Sequence, residues 1–150
     1  MKKKLIIIAY IALVAVLILS SCSKEKNADP IKETDALDFC KKLSTCSEAS
    51  INIEDSSTKD RYRLDVLGKD AETCSIGLSL EKANTVRFVE IEKLGVVCNQ
   101  EWDDKFEKIA SFDEQTCMKY IDTLMLNTLH YAADKDSTKC RGELRERLIR

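Results

Sequence analysis

Ser111–Ala133 reads SFDEQTCMKYIDTLMLNTLHYAA, and its reading decides the expected fold. Ser111-Phe112-Asp113-Glu114 fits a capping box, in which a hydroxyl and a Glu side chain satisfy the free amides of a first helical turn. Cys117, Ile121, Leu124 and Leu129 carry the helix on towards Ala133. Upstream, Trp102, Phe106 and Ile109 stand at helical spacing, with Asp103, Asp104, Lys105 and Lys108 on other faces. Downstream, Ser137 can cap a terminal helix bearing Leu144 and Leu148. Arg141, Arg145, Arg147 and Arg150 suit the negative end of its dipole.

The same reading predicts helices over 34–45 and 58–67, and another near 71–82. Residues 85–97 fit either a helix or a short β element, because Val86, Phe88, Val89 and Ile91 break the alternation; helix is preferred. The chain has one Pro, and Gly only at 68, 77, 95 and 142, fewer turn residues than strongly β domains use. The expected fold is mainly α: a disulfide-stapled bundle of about four to six helices over 34–150.

The 150 residues are 44% hydrophobic and 33% charged, which excludes a disordered chain and a collagen-like repeat. The amino end is different in kind. Lys2, Lys3 and Lys4 precede LIIIAYIALVAVLIL at 5–19, fifteen apolar residues, short of the roughly 20 that span a bilayer. A basic start, a short apolar run and small residues after it describe a secretory signal peptide over 1–21.

Leu19-Ser20-Ser21-Cys22 resembles the lipobox of bacterial lipoproteins, an aliphatic residue and two small ones before an obligatory Cys. The resemblance covers residues 1–22. It implies that Cys22 receives a diacylglycerol, becomes the first mature residue after cleavage and is often acylated again, for example with palmitate. Two or three chains exceed the threshold for stable anchoring, at about 0.8 kcal/mol per buried methylene. Ser23 is not Asp, which in the best-known sorting rule favours the outer membrane. Residues 23–33, SKEKNADPIKE, read as a polar tether spanning up to about 36 Å. The membrane, through Cys22, is an expected partner, and a protein partner or envelope ligand stays open. Loss of 1–21 removes three lysines and takes the net charge from −2 to −5, which argues against a nucleic-acid binder.

Six cysteines remain: Cys40, Cys46, Cys74, Cys98, Cys117 and Cys140. An even number in an exported domain reads as three disulfides, and the absence of C-x-x-C spacing argues against zinc, iron–sulfur or thioredoxin-type sites. Cys40 and Cys46 stand about 9 Å apart along a continuous helix, too far to bridge. Cys117 and Cys140 lie at unequal distances from the turn near 134–137. Cys74 and Cys98 flank Asn84-Thr85 symmetrically, so Cys74–Cys98 is the favoured pair if both arms are helices.

Few residues point to chemistry. His130 is the only His and sits near a helix end, where a dipole partner or surface role is the default. Asp134-Lys135-Asp136-Ser137-Thr138 begins like a calcium loop, but Lys139 and Arg145 occupy the places of the required Gly and Glu. Glu101, Asp103, Asp104 and Glu107 form an acidic face, Trp102 and Phe106 an aromatic pair, and the terminal helix a basic one; each reads first as ordinary surface or core. No catalytic residue, metal or cofactor is expected. The expected function is a non-enzymatic interaction module of the cell envelope. The alternatives are a small-ligand or lipid carrier, suggested by Leu124, Met125, Leu126 and Leu129, and a carboxylate-dependent enzyme.

Overall fold

Tyr62, Leu64 and Val66 alternate with Arg61, Arg63 and Asp65, and only an extended chain puts two such sets on opposite sides. A computed structural model describes residues 33–150, apart from the side chains of Arg87 and Asp104. The expected signal segment, Cys22 and the expected tether up to residue 32 lie outside the described residues. The elements run α1 (Ala36–Ser44), β1 (Ala49–Glu54), β2 (Arg61–Asp70), β3 (Thr73–Lys82), a 3-10 helix (Val86–Ile91), β4 (Gly95–Glu101), α2 (Asp104–Ile109), α3 (Glu114–Ala133), β5 (Cys140–Arg141) and α4 (Glu143–Leu148). The strands form one antiparallel sheet in chain order, β1-β2-β3-β4-β5.

The mainly helical bundle is therefore corrected to a two-layer α+β fold. The helices expected at 58–67 and 71–82 are β2 and β3. In β3, Cys74, Ile76, Leu78 and Leu80 are buried, while Ser75, Ser79 and Glu81 lie half-exposed on the other face. The two strands turn through Ala71-Glu72, with Asp70 opposite Thr73 and Ala71 at a φ of 50°. Tight hairpin turns usually put Gly or Asn at such a position, so this turn carries no marker in the sequence. Residues 85–97 divide: Val86–Ile91 is helical and β4 begins at Gly95. The β2–β3 ladder shifts register where Leu67-Gly68 opposes Ser75, and Gly68 takes the positive φ of 114° that the bulge needs.

Helices cover one face of the sheet. α1 contributes Phe39 and Leu43, α2 Phe106 and Ile109, α3 Ile121, Leu124 and Met125, and α4 Leu144. All are buried in one core with Leu64, Val66, Ile76, Leu78 and Val96. Leu124 and Met125, which suggested a carrier, fill this layer; Leu126 points to solvent, 59% exposed. Asp35 caps α1 by accepting from the Asp38 amide at 2.8 Å. α3 starts later than the Ser111 box implies. Asp113 is its cap, accepting from the Thr116 amide at 2.7 Å. Ser111 instead donates its hydroxyl to the Lys108 carbonyl and closes α2. Ser137 likewise caps no helix; its hydroxyl accepts from the Lys139 amide, and β5 intervenes before α4.

All six domain cysteines are bridged, but not as the helical reading paired them. Cys40–Cys117 joins α1 to α3, Cys46–Cys74 joins the end of α1 to β3, and Cys98–Cys140 joins β4 to β5. Cys74–Cys98 is thus corrected. Both residues lie on the inner face of neighbouring strands, where Cys98 stands opposite Ile76 and is directly paired with Cys140. Loops of 77, 28 and 42 residues each give about 3.6–4.5 kcal/mol in the chain-entropy picture.

At the join of β5 and α4, Gly142 has a φ of 129°, and a Cβ there would lie 2.6 Å from the Gly95 carbonyl oxygen. Two substitutions should therefore act in opposite directions. Gly142→Ala should cost about 2–4 kcal/mol, while Ala71→Gly should stabilise by about 1 kcal/mol, as measured by urea unfolding. Non-reducing peptide mapping should recover 40–117, 46–74 and 98–140; a 74–98 peptide would refute the strand arrangement.

Candidate functional site

The sheet face away from the helices is mostly polar, with Leu67 beside Gly77 its apolar exception. Its side chains come from alternate positions of β1, β2 and β3. At one end they line an open cleft of about 710 Å³ with Asn52, Glu54, Arg61, Arg63, Glu81, Lys82 and, from the β3–β4 connection, Ala83, Glu92 and Lys93. Charge is arranged in pairs across it. Glu54 is shared by Arg61 at 3.4 Å and Lys59 at 3.6 Å. Arg63 meets Asp65 at 3.0 Å on the same strand. Glu81 takes the Lys93 ammonium at 3.2 Å and the Ser79 hydroxyl at 2.9 Å. Glu92 accepts from the Ala83 amide at 3.0 Å and so folds the far wall back on β3.

The walls are joined by a buried carboxylate. Asp60 is fully buried. Its Oδ1 accepts from the amides of Asn84 at 2.6 Å and Thr85 at 3.0 Å, and its Oδ2 from the Thr85 hydroxyl at 2.9 Å. Asn84 also donates its side-chain amide to the Lys59 carbonyl. Burial alone would raise the Asp60 pKa; the hydrogen bonds outweigh it and hold the carboxyl below its ordinary value. Asp55 shapes the same turn. The Ser57 hydroxyl, then the amides of Thr58 and Ser57, lower its pKa to about 2. The β1–β2 turn and the β3–β4 connection are thus one hydrogen-bonded rim, beside which Val86 and Val89 stand 87% and 57% exposed.

The residues singled out from the sequence are placed elsewhere. His130 is exposed late in α3, its ring 6.2 Å from that of Tyr131. Asp103 caps α2 by accepting from the Lys105 amide at 2.9 Å, and Glu101 pairs with Lys139 at 3.2 Å. Glu107 is exposed. Trp102 stacks on the buried Phe106 with centroids 4.9 Å apart, and the Lys69 ammonium lies 4.6 Å over the indole. Where the calcium-like loop begins, the cation is a side chain. Arg145 Nη1 donates to the carbonyls of Tyr131, Ala132 and Asp134 at 3.3, 3.3 and 2.9 Å. Its Nη2 donates to those of Lys135 and Ser137 at 3.3 and 2.6 Å. Among the described residues no group of three or more His, Cys, Asp or Glu side chains is placed to hold a metal ion.

The cleft was not singled out from the sequence. Its signal is the Arg61-Tyr-Arg-Leu-Asp65 alternation, which groups the charges on one side only when the segment is extended. The chain matches no protein-family model, no curated protein and no solved structure.

Both lowered carboxylates bind fewer protons in the folded state, so their stabilisation is present above the ordinary carboxylate range and is lost as pH falls through the folded value, which is about 2 for Asp55. Asp60→Asn should lower the thermal midpoint at pH 7 by roughly 5 °C and flatten its fall on the acid side of the ordinary carboxylate range. An unchanged acid limb would show that Asp60 does not join the rim.

Proposed function

We propose that the chain is a lipid-anchored lipoprotein of the bacterial cell envelope, sorted to the outer membrane, whose domain is a non-enzymatic interaction module. Leu19-Ser20-Ser21-Cys22 supports the anchor. One observation carries the interaction role: the described helices that fill the core pack against one face of the sheet, and the other face holds a charged cleft with a rim fixed by Asp60. A fixed, water-exposed array of both charge signs suits reversible recognition of a charged partner, since its geometry is set before binding. Three disulfides suit a small domain in an oxidising compartment.

Metabolic labelling with an alkyne-tagged palmitate tests the anchor. Wild-type chain should carry the label and sediment with membranes. Cys22→Ser should lose the label and leave the membrane fraction. A Cys22→Ser chain that keeps both would overturn the anchoring.

A further inference from the structure

We infer that Cys98–Cys140 is a redox latch: a dithiol reductant opens this bridge before the other two, and its opening frees a carboxyl-terminal strap, residues 134–150, while the rest of the domain stays folded. The latch goes beyond the interaction-module reading and depends on neither the cleft nor the lipid anchor.

The place of the bridge in the ladder supplies the first argument. Cys98 and Cys140 stand directly opposite each other in neighbouring antiparallel strands. Asn99 donates its amide to the Lys139 carbonyl at 2.9 Å, so 99 and 139 are a hydrogen-bonded pair and 98 and 140 the narrow pair beside it. Narrow pairs hold their Cα atoms about 4.5 Å apart, whereas disulfides most often span about 5.5–6 Å. The Cα atoms of 98 and 140 are 4.0 Å apart, against 6.2 Å for 40–117 and 5.8 Å for 46–74. A bridge drawn in by its ladder yields more readily to reduction.

The second argument is what each bridge holds. Cys40–Cys117 and Cys46–Cys74 fasten α1 to α3 and to β3, within the core. β5 is two residues long, lies at the edge of the sheet and pairs only with β4. Beyond that ladder the strap is tied by Leu144 and Leu148 against the core, by Lys139 on Glu101 and over the Tyr131 ring, and by two 3.3 Å bonds from Arg145 to the carbonyls of Tyr131 and Ala132. The other three bonds of Arg145, to the carbonyls of Asp134, Lys135 and Ser137, lie inside the strap, so it moves as one piece. Edge segments of this kind open locally at a lower free energy than the core.

The exchange moves two electrons. Cys140 is 6% exposed and Cys98 is fully buried, so attack falls on Cys140. One thiolate of the dithiol attacks Cys140 Sγ, the bridge breaks and Cys98 leaves as a thiolate. The second thiolate of the dithiol then displaces Cys140 from the mixed disulfide. The two protons of the dithiol end on Cys98 and Cys140, and the dithiol is oxidised to a disulfide. With the strap released, β4 becomes the outer strand of the sheet.

The test reduces the full chain stepwise with dithiothreitol in detergent micelles. Free thiols are trapped with a maleimide and mapped by mass spectrometry. Cys98 and Cys140 should be labelled about tenfold or more faster than the other four. Hydrogen exchange in the same window, without maleimide, should speed up about tenfold or more at the amides of Asn99, Glu146 and Ile149, while the β2–β3 ladder keeps its protection. Cys98→Ser combined with Cys140→Ser should show the same exchange pattern without reductant. Earlier or simultaneous labelling of another bridge would overturn the latch. So would a strap that stays protected once 98–140 is open, or loss of protection through β2–β3 at the same step. Stepwise reduction of the wild-type chain decides the matter even if the double variant fails to fold.

Discussion

The domain depends on the two-residue alternation of the β2–β3 hairpin. Tyr62, Leu64, Val66, Cys74, Ile76, Leu78 and Leu80 make one apolar face that water cannot be left to cover. Four helices meet that demand, and the 20-residue α3 crosses behind β3, β4 and β5. The opposite face is built from the intervening residues, so its polarity and openness follow from the same pattern. Cleft and core are two sides of one periodicity.

The disulfides hold the layers in register rather than closing local loops. Cys40–Cys117 binds helix to helix, Cys46–Cys74 ties that helical layer to the middle strand, and Cys98–Cys140 secures the two-residue edge strand β5. A strand that short has too few ladder bonds to hold itself. Its other supports are Gly142, which lets the backbone pass close to Gly95, and Arg145, which gathers the carbonyls after α3.

How much was legible in the sequence varied element by element. The helices near 34–45, 102–109 and 111–133 were readable because each carries a 3.6-residue apolar period and an acidic residue at its start. The cap of α3 was misplaced because Ser111 and Asp113 both fit a capping position; the carboxylate took the role, and Ser111 closes the preceding helix. The strands were missed where their punctuation is absent. Ala71 stands where Gly would have announced a hairpin, and Asp55, Asp60 and Thr85 make the other turns through side-chain bonds that no dipeptide signals. Pairing of Cys74 with Cys98 followed from imagining two helical arms; once both are strands, each cysteine finds a different neighbour. The cleft shared that fate, since its charges converge only across three strands.

The order of the bridges also bears on how the domain matures. In the unfolded chain Cys40 and Cys46 are the nearest neighbours among the domain's cysteines, and short loops close with the least entropic cost. Joining each cysteine to the next in sequence would yield 40–46, 74–98 and 117–140, none of which is native. Cys40 must wait for a partner 77 residues away while three other thiols pass it. Oxidative folding of the reduced chain therefore leans on thiol–disulfide exchange to reshuffle early mistakes, even though the sequence encodes a stable final form.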